Sequence, residues 1–148
     1  MLDELEALYR RRFTEFCRVA AAIAGDVELG RDAVQEGFAR AVRKRRSYRG
    51  GGTLEAWVWR IVVNAARDAR RRRLRPAPAV ESATNGHVSG LPLDLLTERQ
   101  REIVFLHYYA DLDYAAIAEA LEISTGTVGA TLSAARRTLR SALEEVHR

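Results

Sequence analysis

Apolar residues recur every three to four positions along most of the chain, which is the spacing of amphipathic α-helices. Three such segments fill the first half, beginning near Leu2, near Leu29 and after Thr53. Gly25 is predicted to end the first helix, and Gly50–Gly52 predict a flexible loop before the third. The three helices can share a core made of Leu2, Leu5, Leu8, Phe16, Val19, Ile23, Val34, Phe38, Ala41, Val42, Leu54, Trp57, Val58, Ile61, Ala65 and Ala69.

The second half follows a segment that has no periodicity. Residues 76–90 are rich in Pro, Ala, Ser and Gly, which predicts a flexible linker spanning on the order of 20 Å. Thr97 and Gln100 then form a capping-box pattern at a helix start. A helix of about two turns, Tyr114–Leu121, precedes a break at residues 122–124 and a long last helix. No strand pattern occurs in the sequence, so the predicted fold is all-α, with two small helical domains at residues 1–75 and 91–148.

The composition narrows the class of protein. Of the 148 residues, 47% are hydrophobic, which suffices for packed cores. No run approaches the roughly 18 apolar residues of a membrane span, and Met1–Glu4 lacks the order of a signal peptide. We therefore expect a cytoplasmic protein without membrane insertion. Cys17 is the only cysteine, and His87, His107 and His147 are far apart, so neither a disulfide nor a metal site is expected. Cys17 is interpreted as a buried thiol.

The charge is divided unequally between the two halves. Residues 1–75 carry 18 Lys and Arg against 10 Asp and Glu, a net charge of +8, whereas residues 76–148 carry 6 against 10, a net charge of −4. A polyanion such as nucleic acid should therefore be attracted mainly to the first half.

The segment from Tyr114 to Leu132 has the layout of a helix-turn-helix. The small residue Ala118 allows two helices to cross closely, and Ser124 is placed to cap the second helix. Such a unit can insert the start of its second helix into a DNA major groove, although a plain helical hairpin fits this segment too. The apolar residues that fill the angle between the helices are Ile117, Leu121, Ile123, Val128 and Leu132.

Three stretches resemble one family of proteins. Residues 91–145, with the phrase YAAIAEALEISTGTV, resemble region 4 of sigma-70 factors of the extracytoplasmic-function (ECF) group. Asp32–Phe38, DAVQEGF, resembles that family's D-x-x-Q-E-x-F motif, and Leu54–Asn64 resembles its Trp-containing helix. The resemblance implies a region 2 helical bundle and a region 4 helix-turn-helix joined by the linker.

The resemblance implies a promoter-specific transcription initiation factor that binds core RNA polymerase and promoter DNA. It further implies an anti-sigma factor as a partner, and no cofactor. The polymerase-binding residues would be Asp32, Gln35 and Glu36, while Phe38 is interpreted as a core residue. Asp32 equally suits the positive end of the helix dipole.

In this family the loop before the third helix holds a base of the melted -10 element. Here that loop is Ser47–Thr53, with Tyr48 as a stacking surface and Arg49 as a phosphate contact. Trp57 is predicted to be buried and Trp59 partly exposed. The arginines at 70–73 are phosphate contacts or a solvated helix end. The implied -10 residues are Tyr48, Arg49, Trp59, Asn64, Arg67, Arg70 and Arg71.

The second domain departs from the family where the -35 element is read. Basic residues usual after Gly126-Thr127-Val128 are absent, Glu122 replaces a usual glycine, and Gly129 lies inside a helix. Either short side chains contact the bases closely, or the domain binds DNA weakly and contacts polymerase or a regulator; we favour weak -35 recognition. The implied -35 residues are Ser124, Thr125, Thr127, Val128, Ala130, Thr131, Ser133, Arg136 and Arg137.

Two other functions stay open at this point. The chain could be a degenerate sigma-like regulator that binds polymerase or an anti-sigma factor without initiating, or a stand-alone helix-turn-helix regulator. An enzyme with a small-molecule substrate is not expected, since the sequence has no paired carboxylates on one helix face and no phosphate-cradling loop.

Overall fold

The computed structural model describes residues 1–74 and 93–146. The predicted linker at 76–90, together with His87 and His147, lies outside the described residues, so the linker and the domain bounds stay predictions. These two ranges contain six α-helices and no strand. They also contain two short 3-10 helices, at Arg45–Ser47 and Leu93–Leu95. The helices are α1 Leu2–Ala24, α2 Val27–Arg43, α3 Leu54–Arg73, α4 Glu98–Tyr108, α5 Tyr114–Leu121 and α6 Thr125–Val146.

The helix ends follow from local chemistry. Gly25 ends α1 with a left-handed backbone, φ 84°, as its lack of a Cβ allows. Asp26 accepts a hydrogen bond from the Leu29 N–H at 2.9 Å, so α2 begins slightly before the predicted start near Leu29. Thr53 caps α3 through the Ala56 N–H at 3.1 Å. The capping box of Thr97 and Gln100 is confirmed at the start of α4, with both reciprocal hydrogen bonds present.

Helices α1, α2 and α3 form one layered unit, called here the N-terminal bundle. Its centre is aromatic: Phe16 stacks on Trp59 with ring centroids 4.0 Å apart, and Phe38 meets Phe16 edge-on at 5.1 Å. Glycines allow α2 to approach its neighbours closely. A Cβ on Gly37 would lie 2.7 Å from Val62 Cγ2, and one on Gly30 would collide with the backbone of Ala21.

The prediction that Trp57 is buried and Trp59 partly exposed is wrong. Trp59 is fully buried and Trp57 is only half-buried. The reason is that α3 packs against α1, α2 and α5 at once. Its buried arc is therefore wide and centred on Trp59, Val62 and Ala66 rather than on the stripe through Trp57. Two other predicted core residues, Leu2 and Val42, are exposed at the bundle edge.

Helices α4, α5 and α6 form a second unit, called here the C-terminal unit. Ile103, Leu106, Ile117 and Leu132 fill its centre and are fully buried. Helix α5 and the start of α6 meet across a turn at Glu122, whose backbone is left-handed with φ 59° and ψ 45°. This is the arrangement of a helix-turn-helix, as the sequence predicted.

The two units pack against each other, with α3 next to α5 and α1 next to α4. Within residues 1–74 and 93–146 no helix is long and apolar enough to cross a membrane. The same part of the chain contains no cluster of three or more His, Cys, Asp or Glu that could hold a metal ion.

Candidate nucleic-acid and polymerase interfaces

The predicted polymerase-binding residues share the outer face of α2. Asp32, Gln35 and Glu36 are all exposed, and Phe38 is buried, as predicted. The Gln35 side-chain amide donates a hydrogen bond to the Tyr9 hydroxyl at 2.8 Å. This contact fixes the amide between α1 and α2 and orients the face.

Glu36 is held in its charged form at the same face. Its carboxylate accepts hydrogen bonds from Arg40 at 3.1 Å and from Arg43 at 3.3 Å. The hydrogen bond from Arg40, together with the nearby Arg43, lowers the pKa of Glu36 below its usual value. Helix α2 therefore presents a fixed carboxylate and a fixed amide to solvent.

A shallow apolar groove of about 460 Å³ lies beside these polar residues. Leu2 and Val42, which the sequence pattern assigned to the core, line it together with Leu5, Tyr9 and Phe38. The groove and the polar face form one continuous surface of α1 and α2. Such a surface, apolar at one edge and charged at the other, suits a protein partner.

The loop before α3 is organised around an aromatic pair. The Tyr48 hydroxyl donates a hydrogen bond to the Gly52 carbonyl, and its ring lies 5.4 Å from the Trp57 ring. Arg49 is exposed and Gly50 has φ 72°. Trp57 was predicted only as a core residue. It is the partner of Tyr48, whereas the buried Trp59 cannot contact a nucleic acid in this structure.

The predicted -10 residues of α3 fall into two groups. Asn64 is exposed, and the Arg71 side chain is 74% exposed beside Asp68. Arg70 instead reaches the Ile23 carbonyl at 3.5 Å. Arg73, which was not predicted as a site residue, donates to the Gly25 carbonyl at 2.9 Å. The basic run is thus both an exposed charge and a cap for the end of α1.

Arg67 is the exception among them, because it faces the C-terminal unit. Its guanidinium donates two hydrogen bonds to Glu102 of α4, from Nε to Oε2 at 2.7 Å and from Nη2 to Oε1 at 2.6 Å. The Glu102 side chain is 2% exposed and that of Arg67 is 18% exposed. The hydrogen bonds to Glu102 raise the pKa of Arg67.

The start of α6 presents short uncharged side chains. The Ser124 hydroxyl accepts from the Thr127 N–H at 3.0 Å and shares a hydrogen bond with the Thr127 hydroxyl at 2.8 Å, so Ser124 caps α6 as predicted. Val128, predicted as a -35 contact, is fully buried because it closes the angle between α5 and α6. Thr131 is half-buried. The exposed residues among those predicted to contact the -35 element are Ser124, Thr125, Thr127, Ala130, Ser133, Arg136 and Arg137.

Arg136 is tied to its own domain. Its Nε donates to the Tyr108 hydroxyl at 2.8 Å, and its guanidinium carbon lies 5.7 Å from the Tyr108 ring centroid. This hydrogen bond raises the pKa of Arg136. No charged residue lies between Thr125 and Ala135, so the part of α6 that would enter a groove contributes little attraction to phosphates.

Two residues of this unit depart from the family pattern, Glu122 and Gly129. Gly129 faces Tyr114, and a Cβ there would lie 3.4 Å from the Tyr114 ring. Glu122, which takes the place of a usual glycine in the turn, points its carboxylate at Arg60 of α3, with Oε1 3.3 Å from Nη1. Glu122 thus makes a contact within the chain, whereas nothing in the structure requires glycine at position 129.

Comparison with known proteins places the chain in a family. Residues 8–75 match the profile of sigma-70 region 2, and residues 93–139 match that of sigma-70 region 4. The RNA polymerase sigma-E factor of Streptomyces antibioticus is 28% identical, with 95% of this chain and 85% of that protein aligned. The ECF RNA polymerase sigma factor SigE of Mycolicibacterium smegmatis is 29% identical over 93% of this chain and 61% of that protein.

Two solved structures share the fold. CnrH in complex with the cytosolic domain of CnrY has a TM-score of 0.79 at 23% identity, covering 98% of this chain and 90% of that chain. The sigma factor RpoE from Bartonella quintana, in complex with the anti-sigma factor NepR, has a TM-score of 0.69 at 22% identity, covering 94% and 98%. The likeness extends over both units of the chain.

Sigma-70 region 2 followed by sigma-70 region 4 in one chain defines a bacterial-type transcription initiation factor. The chain belongs to the sigma-70 family and, within it, to the ECF group. Its function is promoter-specific initiation of transcription. The degenerate regulator and the stand-alone helix-turn-helix regulator are not favoured.

Proposed function

We propose that the protein directs core RNA polymerase to promoters by a division of labour between its two units. Helix α2 binds polymerase through Asp32, Gln35 and Glu36. The loop with Tyr48 and Trp57 receives an unstacked base of the -10 element, and α3 contacts the adjacent DNA. The single observation behind this proposal is that region 2 and region 4 occur in one chain in the family order, covering 8–75 and 93–139.

In the -10 region, the exposed side chains have separate roles. Asn64 can read a base edge because an amide offers a donor and an acceptor together. Arg71 and Arg49 neutralise phosphates and carry no sequence information. Tyr48 and Trp57 offer aromatic faces, on which any base can stack. Sequence preference would therefore come from the shape of the loop and from Asn64.

In the -35 region we propose weak recognition. The exposed hydroxyl and methyl groups of α6 permit close approach to bases, but the three basic residues of α6, Arg136, Arg137 and Arg140, all lie after Ala135 and so beyond the start of the helix. Because phosphate neutralisation supplies much of DNA affinity, this unit should add little to promoter binding. The N-terminal bundle would then account for most of the DNA contact.

Run-off transcription with bacterial core polymerase on a pool of promoter fragments tests the proposal. Addition of the protein should produce specific start sites, and Glu36→Lys should reduce their yield about tenfold because the polymerase-facing carboxylate is reversed. Glu145→Lys, the same charge reversal at an exposed position near the end of α6, is the matched control. A protein that binds polymerase but opens no fragment would contradict the proposal.

We further propose that a protein regulator of the anti-sigma kind binds the C-terminal unit. An apolar groove of about 800 Å³ runs between α4 and α6, lined by Val104, Phe105, Tyr109, Leu139 and Leu143. An amphipathic helix would bury its apolar face there. The likeness to RpoE, solved with the anti-sigma factor NepR, agrees with such a partner.

Leu143→Asp tests whether the groove binds a partner helix. This partly exposed residue lines the groove, so the change should weaken binding of a partner by about tenfold or more without unfolding the unit. Val146→Asp, at a 77% exposed position that does not line the groove, is the control. Binding of polymerase and of a co-purified regulator to each variant would be measured separately. Equal affinities for both variants would exclude the groove.

The protein would act in the cytoplasm, where polymerase and promoter DNA are found, and it would act by binding alone, without an enzymatic activity or a cofactor.

A further inference from the structure

Three arginines of the N-terminal bundle reach across to the C-terminal unit, and we call these contacts the seam. Arg12 donates to the Ala110 carbonyl while also bonding Glu55 at 3.0 Å. Arg60 donates to the Glu119 carbonyl at 3.1 Å. Arg67 forms the two-fold contact with Glu102. In every case the donor lies in the basic half of the chain, and the acceptor is a carbonyl or carboxylate of the acidic half.

The pair of Arg67 and Glu102 is the centre of the seam. Glu102 is the only charged residue among the buried residues that the structure describes. A buried carboxylate is costly unless it is paired with a charge and fully hydrogen-bonded, and Arg67 supplies both conditions by bonding both oxygens. Arg99 adds a second positive charge, with its Nη1 3.9 Å from Glu102 Oε1. The burial of Glu102 therefore depends on the two units remaining in contact.

The same contacts cover the surface that the proposed function needs. A planar guanidinium binds a phosphate in the two-fold way in which Arg67 binds Glu102, so carboxylate and phosphate compete for it. Glu119 of α5 also lies directly over the loop, because a Cβ added to Gly52 would collide with its carboxylate. Glu122 neutralises Arg60 at 3.3 Å. Glu102, Glu119 and Glu122 thus lie against residues of α3 and its preceding loop, the segment proposed to contact promoter DNA.

We propose that the C-terminal unit is a built-in inhibitor of the N-terminal bundle, in which Glu102 occupies Arg67 in place of a DNA phosphate and Glu119 and Glu122 cover the adjacent loop and Arg60. In this self-latched state the free protein binds promoter DNA poorly. Separation of the two units releases Arg67 and exposes Glu102 to water. The unequal charge of the two halves, +8 against −4, supports this contact, since the halves attract each other as the bundle attracts DNA. This inference rests on the proposed role of α3 at the promoter.

The test uses the full chain with Glu102→Gln, a change that keeps the shape of the side chain but removes its charge. Small-angle X-ray scattering should give a radius of gyration near 15 Å for the wild type, as for any compact chain of this length. The variant should be several ångströms larger. Fluorescence anisotropy with a single-stranded -10 oligonucleotide should show about tenfold tighter binding by the variant. Glu145→Gln, which removes one exposed carboxylate at the far end of α6, should change neither quantity.

Three outcomes would overturn the inference: a compact Glu102→Gln variant, an expanded variant with unchanged DNA affinity, or an equal response of Glu145→Gln. If Glu102→Gln fails to fold, the exchanged pair Arg67→Glu with Glu102→Arg decides, because it restores the ion pair and should restore the compact radius. Failure of that pair to restore compactness would also reject the latch. Failure of the proposed function would give a different result. Neither the wild type nor the Glu102→Gln variant would then direct transcription, but the radius of gyration of the variant would still be larger than that of the wild type.

Discussion

The N-terminal bundle and the C-terminal unit relate to their family in opposite ways. The bundle keeps the family motifs, and their polar members, Asp32, Gln35, Glu36 and Asn64, point to solvent where partners can reach them. The C-terminal unit departs from the motifs at Glu122 and Gly129, and Glu122 forms an ion pair inside the chain with Arg60. The polar residues of the retained motifs are thus exposed to other molecules, whereas the departure at Glu122 makes a contact with the rest of this protein.

Replacement of Trp59 by Ala should have the largest effect on the bundle. Trp59 is fully buried against Phe16, so its loss should lower the free energy of unfolding by about 3–5 kcal/mol. Trp57→Ala should lower it by about 1–2 kcal/mol, because that side chain is only half-buried. Urea unfolding of both variants measures the difference. Equal losses would mean that the two tryptophans are buried alike.

Charge reversal of one arginine in each unit compares how much the two units contribute to promoter binding. Arg71→Glu in the bundle should weaken promoter binding by the polymerase complex about tenfold, and it should reduce the salt dependence of binding by roughly one to two phosphate contacts. Arg137→Glu in α6 should weaken it by only about two- to threefold, since the recognition helix contributes little attraction. Binding titrations at several salt concentrations provide both numbers. A larger effect at Arg137 would reverse the assignment of the main DNA contact.

Replacement of Glu122 by glycine, which removes the strained backbone of the turn, should have the smallest effect. Glu122 adopts a left-handed backbone that costs a residue with a Cβ about 1 kcal/mol more than glycine. Its exposed ion pair with Arg60 stabilises by about 0.5 kcal/mol or less. Glu122→Gly should therefore raise the free energy of unfolding by about 0.5–1 kcal/mol. Glu122→Ala, which loses the ion pair but keeps the strain, should not raise it; thermal unfolding of both variants distinguishes the two contributions.

Much of the fold could be predicted because helix ends depend on local chemistry. Gly25, Thr53, Thr97 and Ser124 each end or begin a helix through contacts within four residues, so the bounds of α1, α3 and α4 follow from short patterns. The predicted span of α5, Tyr114–Leu121, is confirmed for the same reason. Periodicity then identified most of the core.

The predictions that failed concern residues whose burial depends on partners that are distant in the sequence. Trp57 and Trp59 lie on neighbouring stripes of α3, and only the packing of α3 against three other helices decides between them. Glu102 was not singled out from the sequence, because its partner Arg67 lies 35 positions earlier, across the predicted linker. Val128 was predicted both as a core residue and as a DNA contact. Because it is fully buried, it is a core residue and cannot contact DNA in this structure.

The two glycines of α2 have a consequence for partner binding. Because Gly30 rests on the backbone of α1 and Gly37 on Val62 of α3, α2 packs closely against both neighbours, which restricts its movement. Its outer face is therefore preorganised before any partner arrives. Little conformational entropy remains to be lost on association, so a small contact area on α2 can support a stable complex.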